Sequence, residues 1–218
     1  MPDYAALRAN MVATQVLTDG VSEERLLDAF RAVPREQFVP ADKVGIAYAE
    51  APVELAPGRW LLTPRSFAKL LQLAEIRSGE TVLDIGCATG YSTAVIARVA
   101  RSVTGLELDA TLLRVASEML HRSGVSNATI VQGALVDGHR SGGPYDVIVI
   151  EGGVEVVPDS LLAQLAEGGR LVAVAQRESM GKAVIFLNED GRHGHRFDFH
   201  ASEKSVLPGF RQPAAFVF

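Results

Sequence analysis

Two glycines and one acid carry the chemistry that can be read directly from this chain. The run Thr81-Val-Leu-Asp-Ile-Gly-Cys-Ala-Thr-Gly90 sets Val82, Leu83 and Ile85 before Gly86 and Gly90, and Tyr91 to Ala100 follows with Val95, Ile96 and Val99 at helical spacing. The order is strand, tight turn, helix. Glycine at such a turn lets the backbone approach a ligand without Cβ interference, and the helix behind it aims unpaired N–H groups and a positive dipole end at an anionic group. A dinucleotide fingerprint needs G-x-G-x-x-G, and here Tyr91 stands where the third glycine would be, so NAD is disfavoured. Glu107 closes the next apolar run, Ser102-Val-Thr-Gly-Leu-Glu107, roughly 20 residues past the turn, the separation that sets a carboxylate on a ribose hydroxyl. Turn and acid together predict a nucleoside site; the alternative is a doubly wound domain whose tight turn binds nothing.

The surrounding elements must hold that turn. Tyr4 to Leu17 is predicted helical through Leu7, Met11 and Val16, with Asp19-Gly20 as its stop. Ser22 is expected to cap a second helix that carries Glu23 and Glu24 in its first turn and buries Leu26, Leu27, Phe30 and Val33 before Pro34. Residues 34–58 read as irregular, and Thr63-Pro64 reads as N-cap and first residue of a helix through Phe67, Leu70, Leu71 and Leu73. Beyond the turn, helices over 110–122 and 158–166 alternate with strands over 128–131, 145–150 and 170–175, which implies a parallel sheet with helices on both faces. The tail reads as a hairpin, 183–187 and 196–200 around Asn188-Glu-Asp-Gly191, and a last strand over 214–218.

Composition narrows the classes further. The chain has 218 residues, 48% of them hydrophobic, enough for one large core. We read one compact domain in which residues 1–78 form a helical extension over a core of residues 79–218. A net charge of −5 without a Lys/Arg run makes nucleic acid an unexpected partner. No apolar stretch reaches the roughly 18 residues that span a bilayer, and Met1-Pro-Asp-Tyr has no basic segment before an apolar core, so no membrane association and a cytoplasmic location are expected. The one cysteine, Cys87, suits a reducing compartment; a small residue is what a glycine turn wants, and nothing marks it as a nucleophile. His193, His195 and His200 lack a carboxylate shell, and no metal is expected. Oligomeric state is not readable.

Several stretches together resemble the protein-L-isoaspartate O-methyltransferase family. They are Met11-Val-x-x-Gln15, Gly20-Val21, Ala29 with Val33-Pro-Arg-Glu-Gln-Phe-Val-Pro40, Ala47-Tyr48, Pro64, Val82-Leu-Asp-Ile-Gly86 with Gly90-Tyr91, Glu107, Gly133, Gly138, Pro144-Tyr-Asp146, Pro158, and Gln164-Leu165 with Gly168-Gly169. The resemblance implies an α/β fold with a Rossmann-like, mostly parallel sheet of seven strands and an N-terminal helical extension covering the site. It implies methyl transfer from S-adenosylmethionine, with S-adenosylhomocysteine as product, to the carboxylate of damaged aspartyl residues in a protein or peptide substrate. It places the cofactor at Asp84, Gly86, Ala88, Gly90, Glu107, Leu108, Ala134, Leu135 and Glu151. The order of the last two strands varies among methyltransferases and stays open.

Three positions depart from the family pattern. A serine hydroxyl near the reacting carboxylate is replaced by Leu62, which leaves Thr63 as the neighbouring hydroxyl and a catalytic candidate, although a helix cap accounts for it equally. An aspartate on the adenine amino group is replaced by Ala134, and a Val-Thr-Ala strand end by Ile150-Glu151-Gly152-Gly153. Glu151 then either opposes an anionic acceptor or accepts hydrogen bonds from adenine or backbone amides. The competing reading is a degenerate member that binds the cofactor or a protein partner without isoaspartyl methylation, or methylates another acceptor.

Overall fold

The computed structural model describes residues 2–177, 180–201, 203 and 205–212. Asp3 accepts from the Ala6 N–H (3.0 Å) and starts α1 (Tyr4–Met11), which runs on through one π turn and one 3-10 turn until Gly20, at φ 84°, ends it. The second helix, α2 (Glu24–Ala32), buries Leu26, Leu27, Ala29 and Phe30 as expected, but Ser22 does not cap it. Extended backbone carries through Glu23, so Ser22 lies one residue too early, and its N–H instead donates to Gln72 Oε1 (2.8 Å).

The stretch expected to be irregular holds two 3-10 segments, Arg35–Phe38 and Ala41–Ile46, and an antiparallel hairpin of β1 (Val53–Ala56) and β2 (Arg59–Leu61). Pro57-Gly58, with Gly58 at φ 72°, makes the turn. Its strands are too short to show alternation, which is why no strand pattern is visible there. Helix α3 (Pro64–Ala74) begins at Thr63, whose hydroxyl accepts from the Ser66 N–H (3.1 Å).

The core follows as β3 (Thr81–Ile85), α4 (Tyr91–Ile96), β4 (Ser102–Glu107), α5 (Ala110–Arg122), β5 (Ala128–Gln132), β6 (Tyr145–Val154), α6 (Asp159–Leu162), β7 (Leu165–Arg177), β8 (Met180–Glu189) and β9 (Arg192–His200). Seven strands form one sheet in the order β5-β4-β3-β6-β7-β8-β9, parallel through β7 and antiparallel for β8 and β9. Asp190-Gly191, both at positive φ, turn the hairpin, and among the described residues β8 lies beside β7 with β9 at the edge. The last strand expected over 214–218 lies outside the described residues.

Period-two side-chain alternation divides the core into two layers. Val82, Val147, Val149 and Val172 face the N-terminal extension with α3 and α4, while Leu83, Ile148, Ile150 and Leu171 face α6 and the segment bearing Leu207 and Phe210. Strand order reverses between β3 and β6, and the crevice at the carboxyl ends of strands on either side of such a reversal is where a doubly wound sheet receives a ligand. Among the described residues, no helix is long and apolar enough to cross a membrane.

Candidate nucleoside site

The glycine turn leaves β3 at that crevice. Gly86 and Gly90 take φ of 81° and 88°, and Ala88 is itself left-handed at φ 48°. Gly90 is required twice over, since a Cβ there would lie 3.2 Å from the Ala116 backbone in α5. The Thr89 hydroxyl donates to the Phe38 carbonyl (2.7 Å) and ties the turn to the extension. Asp84, fully buried on β3, accepts from the hydroxyls of Ser92 (2.7 Å) and Thr93 (2.6 Å). Burial pushes its carboxyl upward against those two hydrogen bonds, and the charge of Glu107 pushes the same way. Cys87 is buried and its thiol is held well above the ordinary range, first by burial and then by Asp84 and Glu107, which leaves it inert as a nucleophile.

Glu107 ends β4 with no exposed surface and accepts five hydrogen bonds. Three come from the backbone N–H groups of Ala88 (2.9 Å), Leu108 (2.8 Å) and Asp109 (2.9 Å). The other two come from one side chain absent from the sequence expectations. Arg59, on β2, donates Nη1 to Oε1 (2.5 Å) and Nη2 to Oε2 (2.7 Å), and Nη2 also reaches the Gly86 carbonyl (3.1 Å). Leu207 covers the same turn: a Cβ placed on Gly86 would meet Leu207 Cδ1 at 3.1 Å. The donor set therefore suits a nucleoside in kind, a glycine turn beside a buried acid, while the volume over it is filled by the chain's own Arg59 and Leu207. A Pro-Gly turn could have disclosed the hairpin, but no local pattern links Arg59 to Glu107 or Leu207 to Gly86, because both contacts cross long sequence separations.

The remaining expected positions fall around this centre without all meeting it. Leu108 is exposed, Ala134 is exposed at the start of a 3-10 turn, and Leu135 is buried in the second core layer. Gly133 donates its N–H to the Glu107 carbonyl (3.0 Å), which sets that loop beside the end of β4. Leu62 is buried, and its carbonyl accepts from Arg35 Nη2 (2.5 Å). Thr63 acts as the cap described above. Glu151 is buried on β6, and its Oε1 has no hydrogen-bond partner, so the expected bonds to backbone amides do not form at that oxygen. Its carboxyl is held well above the ordinary range by burial first, then by Asp84 and Glu203, with Arg35 opposing. Glu151, Glu203, Trp60, Leu62 and Leu207 enclose a cavity of about 10 Å³.

The Val-Pro-Arg-Glu segment proves to be a brace. Fully buried Arg35 donates Nε to the Ala47 carbonyl (2.7 Å) and lies over the Tyr91 ring at 4.9 Å, so one guanidinium joins the extension, the Leu62 strand end and α4. Glu36 accepts from the Tyr48 hydroxyl, and Gln15 donates to the Tyr48 carbonyl (2.9 Å). His195, one of the three tail histidines, instead packs between the rings of Phe186 and Phe197.

Comparison with known proteins covers most of the chain. Residues 7–196 match the model of the family described as protein-L-isoaspartate(D-aspartate) O-methyltransferase. A protein-L-isoaspartate O-methyltransferase of Rhodopseudomonas palustris is 38% identical over 184 residues, covering 84% of this chain and 75% of that one. One from Methanoculleus marisnigri is 34% identical over 185 residues, covering 85% and 84%. Among solved structures, a protein-L-isoaspartate O-methyltransferase superposes with a TM-score of 0.80 at 24% identity over 95% of this chain and 67% of its own. A Plasmodium falciparum relative, described as a complex with S-adenosyl-L-homocysteine, gives 0.78 at 19% identity over 95% and 99%. The fold, the family and the cofactor class expected from the sequence accord with these comparisons. This chain belongs to the protein-L-isoaspartate(D-aspartate) O-methyltransferase family.

Proposed function

We propose that the chain transfers a methyl group from S-adenosylmethionine to the free carboxylate of damaged aspartyl residues in proteins or peptides. The observation that carries this reading is Glu107, buried at the end of β4 beside the Gly86 to Gly90 turn at the strand reversal, in a chain of this family. When bound, the cofactor supplies an already electrophilic sulfonium methyl, and the acceptor carboxylate is already nucleophilic. The protein's task is then alignment and exclusion of water rather than proton transfer.

The turn and Glu107 would hold the nucleoside, with Asp84 fixed behind them by Ser92 and Thr93. Arg35 pins the Leu62 carbonyl and so sets the floor on which an acceptor would lie, while buried Leu62 and half-buried Trp60 keep water from it. The test is transfer of labelled methyl groups to an isoaspartyl peptide and to its ordinary aspartyl counterpart. Methylation of the first alone supports the reading, and methylation of neither removes the proposed acceptor.

A further inference from the structure

The cofactor assignment and the packing of the cleft pull in opposite directions, and the conflict is local. A carboxylate offers about four lone-pair sites. Glu107 already accepts five hydrogen bonds, two of them from Arg59, so the two hydroxyls of a ribose find no free acceptor on it. The space above is closed by the segment 205–210, which is built in rather than loosely laid. Leu207 donates its N–H to the Gly153 carbonyl (2.9 Å), and the Phe210 carbonyl accepts from Glu155 (2.9 Å) and Val156 (3.2 Å). Phe210 is fully buried. Leu207 fills the gaps left by two glycines, since a Cβ on Gly152 would lie 2.7 Å from its Cγ and one on Gly86 would lie 3.1 Å from its Cδ1. The Ser205 hydroxyl donates to the Gly58 carbonyl (3.0 Å), joining this strap to the turn of the hairpin that carries Arg59.

We propose that Arg59 and the strap are an internal occupant of the nucleoside seat, and that Arg59 determines cofactor affinity by competing with the ribose for Glu107. The inference rests on the S-adenosylmethionine reading above. A nucleoside enters only when Arg59 leaves Glu107 and Leu207 leaves Gly86, so its apparent affinity is lowered by the fraction of molecules that are closed. Hairpin and strap move together because Ser205 links them. The chain's one tryptophan, Trp60, follows Arg59 on β2 and lines the small cavity with Leu207 and Glu203, so its emission reports the opening.

The experiment is calorimetry with S-adenosylhomocysteine, paired with Trp60 fluorescence, on the wild-type protein, Arg59→Met and Leu207→Ala. Both variants are expected to bind about tenfold or more tightly than wild type. Ligand should shift Trp60 emission in wild type, and Leu207→Ala should show that shift before ligand is added. Should Arg59→Met fail to fold, Arg59→Lys, which cannot make the two parallel bonds, is expected to tighten binding by a smaller factor. Weaker binding by the Arg59 variants would make Arg59 a ligand of the cofactor and overturn the proposal while leaving the cofactor reading intact. No heat from any of the proteins would remove the cofactor reading and the proposal with it.

Discussion

Two arginine–glutamate pairs hold opposite ends of the sheet, and they differ in what else each arginine carries. At the amino ends of the strands, Arg170 donates to both oxygens of Glu80 (2.8 Å each) and to the backbone carbonyls of Ala74 (2.5 Å), Glu75 (2.6 Å) and Asp146 (3.4 Å). It closes the end of α3 onto β6 and β7. At the carboxyl ends, Arg59 adds one carbonyl, Gly86, to its pair with Glu107, and it hangs on a two-strand hairpin outside the main sheet. Glu107 keeps three backbone donors without Arg59, whereas Glu80 keeps one, the Arg77 N–H (2.7 Å). Burial pushes the Glu80 carboxyl up, but the bonds from Arg170 and Arg77 outweigh it and hold the group below its ordinary range. The first pair is a brace that nothing can replace locally, and the second is a contact that other donors can survive.

Removing Arg170 should therefore produce the largest effect. Arg170→Met leaves Glu80 with the Arg77 N–H alone and takes a donor from three carbonyls, and the expected loss is about 3 kcal/mol in denaturant unfolding. Arg59→Met should cost clearly less, because the charge of Glu107 stays solvated by backbone N–H groups. Equal losses for the two would erase the distinction between brace and displaceable contact.

A buried acid just ahead of the strap, Glu203, provides the next test, through pH. Glu203 is almost fully buried, its backbone is clamped by Gln176 (2.8 and 2.9 Å), and Oε1 has no partner among the described residues. Burial raises its pKa from an ordinary 4.5 to about 7. An acid raised in the folded state favours folding fully below the unfolded value of about 4.5, and that contribution is lost as pH climbs through about 7. Glu151 and Asp84 are shifted the same way. Through Glu203 alone, stability should fall by about 2 kcal/mol between pH 5 and pH 7.5. Glu203→Gln should remove that share of the slope and leave the part carried by Glu151 and Asp84, and an unchanged slope would mean that Glu203 does not titrate in this window.

A smaller effect is expected at the acceptor position. Leu62→Ser restores a hydroxyl over Arg35, and with Glu151→Thr it also removes a buried acid, so methyl transfer to an isoaspartyl peptide should rise about tenfold to hundredfold, equivalent to about 1–3 kcal/mol. If Leu62→Ser alone matches the double variant, Glu151 does not oppose the acceptor.

What the sequence disclosed follows from how far each signal reaches. The turn at Gly86 and Gly90, helix α5 to the residue, and the tail hairpin at Asp190-Gly191 are local patterns, and they were legible. Glu107 was legible because a fixed separation from the turn marks it. The occupants of the seat were not, since Arg59 reaches Glu107 across 48 residues and the strap links to Gly58 across 147. The role of Arg35 was likewise hidden: the segment around it indicated the family, but nothing in its spacing says that its guanidinium joins Ala47, Leu62 and Tyr91.

Helix α3 spans the two ends compared above, with its carbonyl end held by Arg170 and its amino end following the Arg59 hairpin by two residues, Leu62 and Thr63. Thr63 decides whether that junction is structural or chemical. Its hydroxyl already accepts from the Ser66 N–H, and Pro64 supplies the first helical residue, so the side chain has a satisfied structural role. Thr63→Val keeps the shape and removes the acceptor. The expected result is a loss of about 1 kcal/mol in stability with methyl transfer by the folded protein unchanged. A melting temperature equal to wild type, together with lost transfer, would reverse the assignment and make Thr63 the group that orients the acceptor beside Leu62.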